Sequence, residues 1–355
     1  MTQNSHDFLD YLGGLETETV PSGKKEIAAA CAAVLKKAGL KRKASGTRKA
    51  GRVLLVAAAV MVYAAVTAAA AGLDVGEMFR GYFESSDPSI GKSAASLTSS
   101  QVDTLNKSGT AINQSATSNG TTVTLKSAVA DKNGAYLMLD VTTPEGTKLS
   151  RNDYAFEQEE ITPEKLGPHS TFTWSFARPQ KDDAPGDNRK TFVISVNSSD
   201  DLRGQTMKLA LADLSTLDKD GRYGPAVLKG NWNFSFVLGG GAETKQLAVN
   251  KEIHYLGQEK RGMPLGASIQ CLVKSASLSP LSAVLTFSDL KGSDDDFQIP
   301  EKLTLRYKDG SAQSFTSESG VDGKLSASRT YLFDAPIDPD NVSSITIADL
   351  TVPVS

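Results

Sequence analysis

The residue types that could carry chemistry are sparse in this 355-residue chain, and their spacing does not assemble a reactive site. The histidines are His6, His169 and His254, and none belongs to an HExxH motif. The sequence also contains no CxxC motif, the other common zinc-binding pattern. No GxSxG turn marks a serine nucleophile. The sequence therefore predicts no catalytic residue, no metal site and no cofactor, and we expect a protein that is not an enzyme.

Two short motifs near residue 90 imitate functional signatures. Ser89 and Lys92 fit the S-x-x-K pattern of penicillin-binding enzymes, and the segment SDPSIGKS ends in the GKS of a phosphate-binding loop. Ser86 stands where that loop needs its first glycine, and no predicted strand precedes it. The Lys107-Ser108-Gly109 triplet lies too close in the chain to serve as a distant strand motif. We interpret both matches as coincidence.

An acidic run, Asp294–Asp296 in KGSDDDFQ, presents the oxygen ligands that calcium prefers. The run lacks the DxDxDG spacing of a calcium loop. The pattern favours a solvated hairpin turn, with a calcium site as the alternative. A second acidic cluster, Glu157, Glu159 and Glu160, is interpreted as exposed surface.

A long uncharged segment has the length of a membrane-spanning helix. No charged residue occurs from Val53 to Leu73, and a helix of 21 residues spans roughly 31 Å, the thickness of a bilayer's hydrocarbon core. Eight Lys and Arg residues precede it between Lys36 and Arg52, so the positive-inside rule places the N-terminus in the cytoplasm. We therefore predict a transmembrane helix at 53–73, in the cell membrane, with the C-terminal domains outside.

Two other interpretations of this segment stay open. A cleaved signal peptide would account for the small residues of TAAAAG, although its charged region would be about 50 residues long, which is unusual. A buried alanine-rich helix is the other alternative, but it would not need positive charge at one end. Just beyond the segment, Met78, Phe79, Tyr82 and Phe83 share one helical face, which we interpret as an aromatic anchor at the outer membrane interface.

Residues 1–52 predict a short helical cytoplasmic segment that depends on a partner. They carry a net charge of +5, and basic residues beside a membrane favour anionic lipid over nucleic acid. Apolar residues recur at helical spacing in two short stretches, too short to be stable alone. The apolar stripe either lies on the inner leaflet or binds a cytoplasmic protein. The predicted partner-binding face comprises Phe8, Leu12, Leu15, Ile27, Val34 and Leu35.

The remaining chain predicts a mainly β fold. Residues 74–119 predict a juxtamembrane helix and a Ser/Thr/Asn-rich stalk. Beyond them, alternating apolar residues and Gly/Asp-rich turns predict two immunoglobulin-like antiparallel β-sandwich domains, at 120–240 and 246–355. The strands are predicted in GTTVTLKSAVA, GAYLMLDVTT, STFTWSFA, KTFVISVN, TMKLALADL and NWNFSFVL for the first domain, and in IHYL, ASIQCLVKSASLS, SAVLTFSD, KLTLRYKDG, RTYLFDA and SSITIADLTVPV for the second.

Hydrophobic cores must hold these domains together. Cys31 and Cys271 lie on opposite sides of the predicted membrane, so they cannot form a disulfide within one chain. An outer region with one cysteine suits a Gram-positive surface. Trp174, Trp232 and Phe236 alternate along their strands as core residues do.

These segments resemble a known family. The single helix followed by GEMFRGYF and by INQSATSNGTTVTLKSAVADKNGAYLMLDV resembles single-pass membrane proteins from Firmicutes. Their outer domain is catalogued as a domain of unknown function and also occurs in anti-sigma-factor-like proteins. NWNFSFVL and ASLSPLSAVLTF are similar to the end of that domain and to its usual C-terminal β-domain companion. The resemblance extends over residues 50–355 and brings no active site with it.

The resemblance implies a membrane-anchored regulator. Its cytoplasmic helices would bind an extracytoplasmic-function sigma factor, and this cytoplasmic segment would be of the type that contains no zinc. Its outer β-domains would sense an envelope condition through an unidentified ligand. The alternative is a tethered cell-surface binding or structural module that has no sigma-factor partner.

Overall fold

The computed structural model describes residues 66–67, 74–85 and 96–354, with gaps at 152, 169, 181–186, 219, 242, 257–267, 292–298, 318 and 323–325. All the described residues belong to one unit, Met61–Ser355. Every strand pairing in them is antiparallel. The predicted mainly β fold with antiparallel sheets is therefore confirmed.

The first β-domain consists of two facing sheets. The larger sheet has the strand order β1-β2-β3-β4-β8-β6, with β7 also paired to β8, and the smaller has the order β10-β9-β5. The strands are β1 Val66–Thr67, β2 Gly109–Ser118, β3 Thr121–Ala130, β4 Gly134–Thr142, β5 Tyr154–Pro163, β6 Phe172–Trp174, β7 Arg178–Pro179, β8 Arg189–Ser198, β9 Thr206–Leu217 and β10 Tyr223–Val237.

The second β-domain also has two sheets, of order β11-β12-β13-β17-β16 and β15-β14-β18-β19. A 3-10 helix, Pro339–Asn341, precedes β18. The strands are β11 Lys245–Leu256, β12 Ser268–Leu278, β13 Ser282–Lys291, β14 Lys302–Tyr307, β15 Ala312–Thr316, β16 Ser319–Asp322, β17 Ser326–Leu332, β18 Val342–Ile347 and β19 Leu350–Pro353.

Each domain has its own hydrophobic core between its two sheets, as the alternating pattern predicts. In the first core, Trp232 is fully buried, its ring centroid lies 6.0 Å from that of Phe156, and its indole Nε1 donates to the Thr121 carbonyl oxygen at 3.1 Å. Phe236 is buried as predicted, whereas Trp174 is only partly buried at the edge of this core.

Two α-helices lie between β1 and β2 in the chain: α1, Val75–Phe83, and α2, Ser99–Ser108. The Asp74 side chain caps α1 by accepting a hydrogen bond from the Glu77 backbone N–H. Thr98 and Gln101 form a capping box that begins α2. The Ser/Thr-rich lead-in predicted as a stalk therefore contains a capped helix.

That lead-in also contains β2. Residues Gly109–Ser118 pair with β3, and their exposed side chains are Ser, Thr and Asn rather than apolar groups. Because one face of this strand meets solvent, its composition imitates a linker. Strand β2 is therefore part of the larger sheet, although its residues precede position 120.

Most of the predicted transmembrane segment 53–73 lies outside the described residues. Within it, Val66 and Thr67 form the two-residue strand β1 against Ala111 and Thr110, so these two are extended rather than helical. Among the residues that the structure does describe, no helix has the length and apolar character needed to cross a membrane.

Candidate functional site

The candidate functional site is the junction where α1 and α2 meet both β-domains. The two helices are locked together at their crossing. Asn106 of α2 accepts a hydrogen bond from the Gly76 backbone N–H at 2.8 Å and donates one to Asp74 Oδ1 at 3.0 Å. A Cβ atom on Gly76 would lie 2.5 Å from the Val102 carbonyl oxygen, so only glycine permits this close approach.

The C-terminal end of α1 is tied to the start of α2. Arg80 pairs with Glu77 and, at 3.0 Å, with Glu84. The Glu84 carboxylate in turn accepts a hydrogen bond from the Leu97 backbone N–H at 2.7 Å. We call α1 and α2 with these ties the helical hairpin.

The helical hairpin packs its apolar face against both β-domains and forms a third hydrophobic cluster. Phe83 lies in T-shaped contact with Tyr136 of β4, with ring centroids 5.0 Å apart. Leu281 of the second domain is buried in the same cluster. Phe79, Tyr82 and Phe83 are at most 5% exposed.

This packing corrects the predicted aromatic anchor. The face that carries Phe79, Tyr82 and Phe83 is buried in protein rather than placed at a membrane interface. The same 3.6-residue periodicity describes a helix that lies on lipid and a helix that lies on a sheet, so the pattern alone did not separate the two.

Direct hydrogen bonds join the helical hairpin and the first domain to the second. The Tyr136 hydroxyl donates to the Phe333 carbonyl oxygen at 3.0 Å, and Gln101 Nε2 donates to the Pro336 carbonyl oxygen at 2.7 Å. Both acceptors follow β17. The junction therefore has three components, the helical hairpin and the two β-domains. Hydrogen bonds between buried or half-buried groups join the helical hairpin and the first domain to the second domain.

Asp131 provides a further link and is fully buried. Its carboxylate accepts hydrogen bonds from the backbone N–H of Gly134 at 2.7 Å and of Leu281 at 2.7 Å, and from the Ser282 hydroxyl at 2.8 Å. Burial raises the pKa of this carboxyl, while the hydrogen bonds that it accepts act in the opposite direction. One side chain thus closes the β3–β4 turn and holds the second domain.

The chain between the domains is packed rather than loose. A Cβ on Gly240 would lie 2.9 Å from the Ala130 carbonyl oxygen, and Gly240 itself has a φ of +143°. A Cβ on Gly239 would lie 1.9 Å from the Thr110 hydroxyl oxygen. Gly239 and Gly240 of the LGGGA sequence therefore stand at positions where a side chain would clash with the first domain.

A cleft lined mostly by residues with polar side chains opens beside this junction, between the first turn of α2 and the β14–β15 hairpin of the second domain. Its volume is about 670 Å³, and a second cavity of about 280 Å³ shares four lining residues with it. The shared residues are Gln101, Tyr307, Ser311 and Gln313.

The walls of this cleft are held in place by hydrogen bonds. Gln101 Oε1 accepts from the Thr98 backbone N–H at 2.9 Å, while its Nε2 reaches Pro336 as described above. The Tyr307 hydroxyl donates to Gln313 Oε1 at 3.3 Å. Burial, with Asp309 nearby, raises the pKa of Tyr307 to about 12, so its hydroxyl is neutral at physiological pH.

One member of the predicted acidic surface cluster is partly buried. Glu159 lies on the edge strand β5, and its Oε2 accepts a hydrogen bond from the Ala177 backbone N–H at 2.8 Å across the open edge of the sandwich. Its Oε1 is buried without a partner among the described residues. Burial raises the pKa of Glu159 to about 7.

Many residues singled out from the sequence lie outside the described residues. They include the Asp294–Asp296 run, Ser89 and Lys92 of the S-x-x-K match, and His6 and His169; the predicted partner-binding face of Phe8, Leu12, Leu15, Ile27, Val34 and Leu35 also lies there. These assignments stay predictions.

Within the described part of the chain, no group of three or more His, Cys, Asp or Glu side chains is arranged to hold a metal ion. The backbone N–H of His254 donates to Asp349 Oδ1 at 3.1 Å. Cys271 is a buried free cysteine, and burial raises its pKa to about 11.

A sequence signal for the junction is present in β4. GAYLMLDV is apolar without strict alternation, and Leu137 faces the sandwich core while Tyr136 faces the helical hairpin. A continuous apolar run predicts a strand that is covered on both faces, and the partner here is the helical hairpin. Neither Asp131 nor the cleft has a comparable signal.

Comparisons with known proteins give limited similarity. The sequence model of a family described as Domain of unknown function (DUF4179) matches residues 45–143, a range that ends one residue after β4. No curated protein sequence matches this chain.

Two solved structures match this chain at low similarity. "The crystal structure of the conserved domain protein from Bacillus anthracis" is 15% identical, with a TM-score of 0.45, covering 68% of this chain and 78% of the other. "Secreted serine protease VesC from Vibrio cholerae" is 10% identical, with a TM-score of 0.18, covering 63% of this chain and 48% of the other. Both scores are too low to carry an argument about fold or function. Residues 45–143 are thus similar to a domain of unknown function, and the match includes the whole helical hairpin.

Proposed function

We propose that this protein is a membrane-anchored regulator. Residues 53–73 cross the cell membrane, residues 1–52 bind an extracytoplasmic-function sigma factor in the cytoplasm, and the two β-domains sense an envelope condition outside. The cytoplasmic role derives from the sequence resemblance to anti-sigma-factor-like proteins and from the unpartnered apolar stripe predicted in residues 1–52.

One structural observation carries the sensing part of the proposal. Helix α1 begins at Val75, directly after the predicted crossing, and its apolar face is built into the cluster that contacts both β-domains. Little chain separates the membrane segment from this junction. A displacement of the second domain would therefore act on α1 without being absorbed by a long linker.

Insertion of the crossing requires one local change. Val66 and Thr67 pair with β2, and a helix through residues 53–73 would replace this two-residue pairing. The exchange is favourable in lipid because a helix satisfies its own backbone groups.

The test is co-purification of sigma factors with the full chain, extracted in mild detergent from cells that express it. Ile27→Asp and Leu35→Asp should each abolish recovery, because a charge on the apolar stripe opposes burial. Thr19→Asp adds the same charge at a polar position and should leave recovery intact. Failure to recover any sigma factor with the unmodified chain would refute the cytoplasmic role.

A tethered binding module without a sigma factor is the second candidate, and the polar cleft beside the junction favours it. For that function, deletion of residues 1–40 has no effect on transcription. For the regulator, the same deletion releases sigma-dependent transcription.

A further inference from the structure

We propose that the cleft between α2 and the β14–β15 hairpin binds a short, uncharged oligosaccharide. The cleft volume of about 670 Å³ falls within the range of about 300–1,000 Å³ typical of ligand pockets. The adjoining cavity of about 280 Å³ extends it past the same four side chains, which gives a groove rather than a single round pocket. An elongated ligand of several linked rings matches this shape.

The chemical character of the lining selects uncharged, hydroxylated ligands. Most polar groups there are hydroxyls and carboxamides, such as Ser100, Ser311 and Gln313. Such groups both donate and accept hydrogen bonds, which is what a sugar hydroxyl needs. Tyr307 also lines the cleft, and an aromatic ring is a surface on which the C–H face of a sugar ring can pack.

The charged groups of the lining disfavour anionic ligands. Lys308 is opposed by Asp309 and Asp338, which leaves one net negative charge. Both carboxylates are partly engaged by their own turns: Asp309 accepts from the Ser311 hydroxyl at 2.6 Å, and Asp338 from Asn341 Nδ2 at 3.0 Å. Polyanions would meet like charge here, whereas a neutral hydroxyl can donate to the remaining carboxylate lone pairs.

The site is organised before a ligand arrives. Gln101 spans the α2 cap and the second domain, and Tyr307 is fixed by its bond to Gln313 and by the tight turn that its backbone N–H makes with the Ser311 carbonyl oxygen at 2.9 Å. Preformed walls reduce the entropy cost of binding. Among the described residues that line the main cavity of about 670 Å³, Ile337 is the largest aliphatic one, so this part of the chain offers no deep pocket of large apolar residues to anchor a peptide side chain.

Binding would join α2 more firmly to the second domain, because a ligand in the cleft touches both. This regulatory consequence rests on the proposed function, whereas the binding itself does not. Recovery of a sigma factor without saccharide binding would overturn the present inference alone. Saccharide binding without a sigma factor would support the present inference and leave the tethered module.

The experiment is calorimetric titration of the full chain in lipid nanodiscs with uncharged tetrasaccharides of N-acetylglucosamine and of glucose, each up to about 10 mM, a concentration that detects the weak affinities expected for small ligands. Tetra-alanine serves as the neutral peptide probe. We expect at least one tetrasaccharide to bind and tetra-alanine not to bind. Binding of tetra-alanine alone would identify a peptide site, and no binding by either tetrasaccharide would overturn the inference.

Variants locate the binding. Tyr307→Ala and Gln313→Ala should each weaken it by about tenfold or more, since each removes a direct contact. Ser314→Ala is the matched control, because Ser314 neighbours Gln313 on β15 but bonds to Thr304 outside the cleft. Circular dichroism checks that each variant is folded. If all three variants bound the saccharide with the affinity of the unmodified chain, the saccharide would bind elsewhere and this site would be refuted.

Discussion

Ser282 of the second β-domain donates a hydrogen bond of 2.8 Å to Asp131 of the first, so a fully buried carboxylate holds the two domains together. The neighbouring Leu281 is buried in the cluster beneath the helical hairpin. The β12–β13 turn therefore makes polar and apolar contacts at the same junction.

Asp131→Ala should lower the free energy of unfolding by about 2–4 kcal/mol. The substitution leaves the buried N–H groups of Gly134 and Leu281 without their acceptor. Urea denaturation of the full chain, followed by tryptophan fluorescence, measures the change. Asp218→Ala removes an exposed turn carboxylate and should cost no more than about 1 kcal/mol. Equal losses in the two variants would show that Asp131 has no special role.

Gly134→Ala should destabilise the domain contact. The added Cβ would lie 2.5 Å from Leu332 Cδ2 and 3.3 Å from Ser282 Cβ. Leu332→Ala makes room for that Cβ. The loss of unfolding free energy in the double variant should therefore be smaller than the sum of the two single losses, by about 1–2 kcal/mol. Thermal unfolding of the four proteins in the cycle measures this coupling. Simple additivity would contradict the close contact.

Gly76→Ala and Gly81→Ala form a matched pair in α1. At Gly76 the new Cβ would lie 2.5 Å from the Val102 backbone oxygen, whereas at Gly81 nothing lies within 4 Å. We expect Gly76→Ala to separate α1 from α2 and to speed proteolysis of the helical hairpin. Gly81→Ala should stabilise the chain by roughly 0.5–1 kcal/mol through helix propensity. The prediction is wrong if the two alanines have the same sign of effect.

Glu159→Gln should change how stability depends on pH. The folded-state pKa of Glu159, about 7, lies above its ordinary value of 4.5, so the folded chain binds this proton more tightly than the unfolded chain. In the wild type, the contribution of the Glu159 carboxyl to the free energy of unfolding is therefore fully present below about pH 4.5, and it is lost as the pH rises through 7. Glutamine keeps an acceptor for Ala177 and removes the titration.

The measurement is the free energy of unfolding at a series of pH values from 4 to 8. At pH 8 the variant should exceed the wild type by up to about 3 kcal/mol, the equivalent of the shift. Glu160→Gln, on the same strand but exposed, should follow the wild-type curve. A Glu159→Gln curve parallel to the wild type would show that the carboxylate is not buried in solution.

Local patterns predicted most of the strands and missed those with atypical composition. KTFVISVN and TMKLALADL alternate because one side of each strand lies in a core, and the structure contains β8 and β9 there. Tyr154–Pro163 forms β5 although it contains three glutamates, because an edge strand needs only one apolar face. In STFTWSFA the strand breaks after Trp174, and Phe176 is 63% exposed.

The candidate site could not be predicted in the same way. Leu281 and Asp131 are 150 positions apart, and Phe333 and Tyr136 are 197 apart, so their meeting depends on how two complete domains dock. Nothing in the few residues around Gln101 or Tyr307 indicates that they share a cleft.

The sequence by itself determined most of the strands, the turns between them and the amphipathic face of α1, because these depend on periodicity and on side chains within a few positions of each other. Only the tertiary structure decided what covers that face. The apolar side chains of Phe79 and Phe83 gain the same free energy from any surface that excludes water, so their pattern is identical for lipid and for protein. Here the fold brings the sheet around Tyr136 to this position, and Phe79 and Phe83 are buried against it.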